Sequence, residues 1–199
     1  TVILKGFKIQ NGIADASNGQ YSGGGILVWN TGDFYFSNLI VENNYAETFG
    51  GGIRVAGGSN TYIDNSIIRN NSSDQYGSAI YIEDNVTLDS VAVYGNYNNS
   101  QQYSTISLTS NKTLNITNST ITGNDSYGIN SIGSNYINIT NSIFFNNLSD
   151  DNDLQIIGAA IELNINYSLI ENGFDGLGVS LYDNNEIIFN ESIDADPLF

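Results

Sequence analysis

The sequence has no cysteine, no methionine and no histidine, one proline, and five basic residues among 199. Without cysteine no disulfide can staple the chain, so its stability must come from packing. The five basic residues face 21 acidic ones, for a formal net charge of −16. Nucleic acids and anionic lipids are bound through Lys and Arg, so a surface this acidic repels both. The acidic residues are dispersed, as on a solvated face. The strong helix formers Ala, Lys, Arg, Gln and Glu are scarce, and no apolar run approaches the length of a membrane span. Neither an initiator Met nor a signal peptide opens the chain, which reads as a processed product or a segment of something longer.

What is abundant are turn and strand formers. There are 31 asparagines and 21 glycines, with the apolar content supplied by Val, Ile, Leu and aromatics. That mixture favours short strands joined by many turns, and it holds too much Ile, Tyr and Phe for a disordered chain.

Self-similarity organises the rest. SNLIVENN, DNSIIRNN, LDSVAVYGN, TNSTITGN, TNSIFFNN and NYSLIEN align on a closing asparagine: Asn44, Asn71, Asn96, Asn124, Asn147 and Asn172. The spacings are 27, 25, 28, 23 and 25 residues, and Gly12 of GFKIQNG falls in the same frame. Each unit holds three alternating segments. One follows a glycine cluster, as in Gly23-Gly24-Gly25-Ile26 and Gly50-Gly51-Gly52-Ile53. A second carries apolar pairs two apart: Val2/Leu4, Phe34/Phe36, Val86/Leu88, Leu114/Ile116, Ile137/Ile139 and Ile187/Phe189. The third carries Ile9, Val41, Ile68, Val93, Ile121, Phe144 and Leu169. Period-two alternation of β-branched residues marks strands with one face inward.

A coil of about 25 residues cannot bury its own apolar face. Stacking the next coil ~4.8 Å above it does so, and aligns like side chains into vertical ladders. The chain is therefore expected to be one all-β domain, residues 1–199, a parallel β-helix of about seven three-stranded coils without a capping helix. Glycines suit its corners, and the recurrent asparagine suits a turn whose amide bonds to its neighbours above and below. Glu42 and Arg69 fall at equivalent outward positions and are expected to pair. One coil departs from the template: Ile161, Leu163 and Ile165 carry the apolar phase in place of 162 and 164, which a one-residue bulge after Ser149–Asp153 would explain.

In these features the chain resembles the right-handed parallel β-helix repeat proteins of the pectate-lyase-like superfamily. GFKIQNG and DADPLF resemble coil signatures of secreted bacterial and archaeal members. The GGGI segments resemble the Gly-Gly-apolar repeats of chlamydial polymorphic outer-membrane proteins. The resemblance covers essentially the whole chain. It implies a right-handed solenoid at a cell surface or outside the cell, but the superfamily includes lyases, hydrolases, adhesins and passive stalks.

The catalytic patterns of that superfamily are hard to place. The polygalacturonase pattern needs a Gly-His-Gly, and there is no histidine. The pectate lyase pattern needs an arginine base near a calcium-binding carboxylate group. Of the two arginines, Arg54 falls between Leu27 and Tyr81 without an obvious carboxylate cluster, so a structural or surface role is expected for it. Asp150-Asp151-Asn152-Asp153 could offer oxygen ligands to calcium but matches no calcium-loop spacing; it and Asp183–Glu186 read as solvated loops, and no cofactor is expected.

Twelve Asn-x-Ser/Thr strings occur. Asn115 and Asn138 lie between inward residues and should face solvent, so they head the glycan candidates, followed by Asn85, Asn111, Asn98, Asn70, Asn166 and Asn190. Asn71, Asn124 and Asn147 belong to the amide ladder, where a committed side chain could not be glycosylated. Tyr35 and Tyr62 sit at equivalent outward positions, able to hold sugar rings or simply to pack on each other.

Strand edges lie near both ends, at Thr1–Leu4 and before Asp196–Phe199. Val2, Leu4, Ile187, Phe189, Leu198 and Phe199 are thus expected to join copies end to end, giving an open filament. The leading expectation is an extracellular structural or adhesive solenoid of a cell surface or filament, carrying N-glycans and partnered by itself, by glycans or by neighbouring surfaces. A polysaccharide lyase or glycoside hydrolase is the alternative, and a passive carbohydrate-binding module the third reading.

Overall fold

In the computed structural model, residues 1–17, 21–99, 103–148, 154–160, 162–181 and 187–198 are described. The β-branched alternation is realised as a right-handed solenoid in which every strand pairs in parallel with its counterpart one coil away. Sheet A has eight strands: Val2–Lys5, Gly32–Ser37, Ser59–Asp64, Asn85–Asp89, Thr113–Thr117, Tyr136–Thr140, Glu162–Asn166 and Ile187–Asn190. Sheet B has seven: Lys8–Gln10, Ile40–Glu42, Ile67–Arg69, Ala92–Tyr94, Thr120–Thr122, Ile143–Phe145 and Leu169–Ile170. Sheet D, led by the glycine clusters, also has seven: Ile26–Trp29, Ile53–Ala56, Ile80–Ile82, Ser104–Leu108, Tyr127–Ser131, Ile156–Ala160 and Leu177–Leu181. The first four coils add a two-residue strand between B and D, forming sheet C from Ile13–Ala14, Tyr45–Ala46, Ser72–Ser73 and Tyr97–Asn98. The helical segment at Gly173–Gly176 is a single 3-10 turn.

The core is a set of vertical ladders. In sheet A, Leu4, Phe36, Ile63, Leu88, Ile116, Ile139, Ile165 and Phe189 stack in register. In sheet B the row is Ile9, Val41, Ile68, Val93, Ile121, Phe144 and Ile170. In sheet D it is Ile26, Ile53, Ile80, Ile106, Ile129, Ile156 and Leu177. Most of these side chains are fully buried, each stabilising the fold by about 1.5–3 kcal/mol relative to exposure.

Two polar ladders satisfy the corners. Where sheet B turns toward D, the Asn71 Oδ1 accepts from the backbone N–H and the Nδ2 of Asn44, at 3.1 and 2.9 Å. Asn96 receives the same pair from Asn71, and Asn124 from Asn96. Asn124 Nδ2 donates to Asn147 at 2.7 Å, and Gln155 extends the column by accepting from Asn147. The preceding residues Asn43, Asn70, Gly95, Gly123 and Asn146 take positive φ, which Gly and Asn tolerate best. Where sheet A turns into B, a serine column does the same work. The Oγ atoms of Ser66, Ser119, Ser142, Ser168 and Ser192 accept backbone N–H groups from the neighbouring coil.

Asn172 does not belong to the ladder. Phe144 pairs with Ile170, so Ile170 points inward and Leu169 does not, and Gly173 occupies the ladder position. Asn172 takes the preceding left-handed position, φ 62°, and is exposed. Leu163 and Ile165 face inward opposite Ile137 and Ile139, and the next strand keeps that frame, with Ile170 opposite Phe144.

Glu42 and Arg69 lie opposite each other in sheet B and pair at 2.7 Å, with Lys8 against the other carboxylate oxygen. Covered in this way, Glu42 is only 4% exposed. The hydrogen bonds from Lys8 and then Arg69 hold its carboxyl below the ordinary 4.5. A depressed folded pKa gives stability that is full above 4.5 and is lost as pH falls through the lowered value. The stability difference between wild type and Glu42→Gln should therefore be full at neutral pH and close on acidification. Urea midpoints across a pH series measure it, and a gap independent of pH would show that the ion pairs contribute nothing.

Candidate functional site

The outer face of sheet A carries the row Ile3, Tyr35, Tyr62, Thr87, Asn115, Asn138, Asn164 and Ile188. Tyr35 and Tyr62 stack with ring centroids 4.9 Å apart and planes within 9°, and are 41% and 38% exposed. Lower in the row, Asn164 donates to Asn138 at 2.9 Å, Asn138 to Asn115 at 3.0 Å, and Asn115 to Thr87 at 3.4 Å. Thr87 is the short member between Tyr62 and Asn115, and the surface dips over it. The resulting open trough of about 240 Å³ is walled by Tyr62 and edged by Asn60, Asn85, Thr113 and Asn115. None of these residues is charged. Amides and hydroxyls beside an aromatic wall can hydrogen-bond and stack a neutral, hydroxyl-rich ligand.

A second constellation lies on sheet D. Arg54 stands between Leu27 and Tyr81 in register, and its Nε and Nη2 both reach Glu83 Oε2 at 2.7 Å. The sequence suggests no carboxylate beside Arg54; the partner comes from the next coil, two residues past Tyr81. The guanidinium lies 4.8 Å from the centre of the Trp29 ring, 5.7 Å from Phe49 and 5.9 Å from Tyr81. Phe49 stacks on Tyr81 at 4.5 Å, and Phe49, Tyr76 and Tyr103 continue as an aromatic column along the turns before sheet D. Next to Glu83, the buried Asp84 accepts the Gly58 N–H at 2.7 Å and faces Lys112 at 3.7 Å. Sequence reasoning missed this column, although an aromatic directly before glycine, Phe49-Gly50 and Tyr76-Gly77, was its available signal.

The sequon asparagines separate into groups. Asn70, Asn85, Asn111, Asn118 and Asn190 are exposed, and Asn115, Asn138 and Asn166 are half-buried. The outward Asn115 and Asn138 are engaged in the outer amide row rather than free. Asn98 is not a glycan candidate: it is buried, and its Nδ2 donates inward to Ser73 Oγ and the Gln75 carbonyl. Of the end residues, Val2 and Leu4 pair with Phe34 and Phe36, Ile187 and Phe189 with Leu163 and Ile165, and Leu198 is 84% exposed. Phe199, Ile161 and the loops Asp150–Asp153 and Asp183–Glu186 lie outside the described residues.

Compared with known proteins, residues 7–194 match the family model described as a right handed beta helix region. No curated protein and no solved structure gives a significant match.

Proposed function

The chain belongs to the right-handed β-helix family, and from that premise we propose that it is an extracellular structural or adhesive solenoid that holds neutral saccharide chains against the outer face of sheet A. The observation that carries this reading is the trough beside the Tyr35–Tyr62 stack. Its lining is uncharged and rich in amides and hydroxyls, and it sits on a rigid parallel sheet rather than on loops. Rings prepacked on each other lose little side-chain freedom when a sugar settles on them. The laddered faces suit an extended, stiff element, and a net charge of −16 disfavours polyanionic glycans. The exposed sequons, Asn111 and Asn190 among them, supply places for N-glycans on such a surface.

Glycan arrays and affinity electrophoresis in neutral polysaccharides test the proposal. Wild type should bind neutral chains and leave their reducing-end count unchanged. Tyr62→Ala should weaken binding about tenfold, the equivalent of about 1.4 kcal/mol, within reach of one lost aromatic contact. Release of new reducing ends would replace this reading with that of a polysaccharide-cleaving enzyme, and failure to bind any neutral chain would remove the adhesive part.

A further inference from the structure

We propose that Trp29, Arg54 and Glu83 form a second saccharide site on sheet D, independent of the sheet A trough, which takes a neutral sugar with two adjacent hydroxyls. The site is built by one small residue. Trp29 and Ala56 face each other in neighbouring strands, and Glu83 continues the same outward row in the third. Ala56, small and 3% exposed, separates Trp29 from Glu83 in that row, and Arg54 connects the two, its guanidinium 4.8 Å from the centre of the Trp29 ring and bonded to Glu83. Indole, guanidinium and carboxylate thus lie side by side. The rings of Trp29, Phe49 and Tyr81 lie 4.8, 5.7 and 5.9 Å from the Arg54 guanidinium.

The hydrogen-bond inventory points to the ligand. Arg54 spends its Nε and Nη2 on a single oxygen of Glu83. Among the described residues its Nη1 makes no hydrogen bond, and Glu83 Oε1 accepts none. One ion pair therefore carries both an unspent cationic donor and an unspent anionic acceptor. A hydroxyl group both donates and accepts, so one hydroxyl of a vicinal pair can receive the Arg54 N–H while its neighbour donates to Glu83. Both bonds are charge-assisted, and the two side chains are only 14% and 30% exposed, so water competes weakly for them. The ligand needs no charge of its own, because the pair already sums to zero. Trp29 is 62% exposed despite the guanidinium over its ring, leaving an apolar plate for the C–H face of a pyranose.

Trp29 is the one tryptophan in the chain, so its fluorescence reports on this site directly. The full chain is titrated with methyl α-mannopyranoside, methyl β-galactopyranoside, cellotetraose and, for contrast, trigalacturonate. At least one neutral sugar should give a saturable change in emission, and trigalacturonate none. Glu83→Gln keeps the shape but weakens the acceptor, and should raise the half-saturation concentration at least tenfold. Arg54→Lys should do the same, while Tyr62→Ala should leave the titration unchanged even though it weakens binding in the trough. Near-UV circular dichroism identifies any variant that has lost its fold, and Glu83→Gln alone then decides. The proposal is overturned if no neutral sugar saturates, if only trigalacturonate does, or if Glu83→Gln titrates like wild type.

Discussion

Replacing Asn96 with alanine should lower the unfolding free energy by about 2–6 kcal/mol, since two buried polar groups lose their partner at about 1–3 kcal/mol each. Asn96 stands in the middle of the corner column and is fully buried. Its Oδ1 accepts both the backbone N–H and the Nδ2 of Asn71 at 3.0 Å. Its Nδ2 donates to the carbonyls of Ile68 and Tyr94 and to Asn124 Oδ1. Alanine would leave the Asn71 N–H and the Ile68 carbonyl facing a dry gap. Urea unfolding should show the loss as a lower midpoint at unchanged slope. Asn115→Ala makes the comparison: it is also an amide in a row, but on the outer face where water can replace it, and it should cost under about 1 kcal/mol. Equal losses at the two positions would mean that the buried column is no more than a surface decoration.

That column was legible because it recurs once per coil in a fixed place, as were the inward β-branched rows and hence the fold. Signals that break the period were not. The inward phase of Leu163 and Ile165 was visible as a reversal of the apolar pattern. Nothing in Leu169-Ile170 says whether the frame resets, since either residue could fill the core, and only the pairing with Phe144 decides for Ile170. Sheet C escaped notice because strands of two residues, such as Ser72–Ser73, carry no alternation. The serine column was written in DNSII, TNSTI and TNSIF, but serine also reads as an ordinary turn residue. The two candidate sites needed coordinates for different reasons. The trough exists because one short side chain, Thr87, falls between longer ones in adjacent coils. The Arg54–Glu83 pair joins residues 29 apart, neither the coil period nor a helical spacing, because the guanidinium reaches past its in-register neighbour Tyr81 to the residue two further on.

Gly51→Ala should be at least as damaging, with a loss of about 4 kcal/mol or more or a failure to fold, the range reserved for substitutions that leave no room for repacking. A Cβ on Gly51 would stand 2.2 Å from the Ser72 carbonyl oxygen and 2.5 Å from that of Ser78. Both obstacles are backbone of the next coil, and no rotamer change moves them. The Ser78 oxygen is itself tied down by the Gly52 N–H at 3.2 Å. Relief would require coils to part locally, which strains every strand pair at that level. Gly123→Ala isolates the other cost of a corner glycine. Gly123 has nothing within 4 Å of its Cβ position but holds φ +61°, so alanine there should cost only about 1–2 kcal/mol of left-handed strain. Gly51 also follows Phe49 and Gly50 at the turn that delivers Phe49 to Arg54, so any folded fraction of Gly51→Ala should show altered Trp29 emission. If Gly51→Ala melts with wild-type stability and emission, coil spacing at this corner is not set by backbone contact, and the glycine clusters need another explanation.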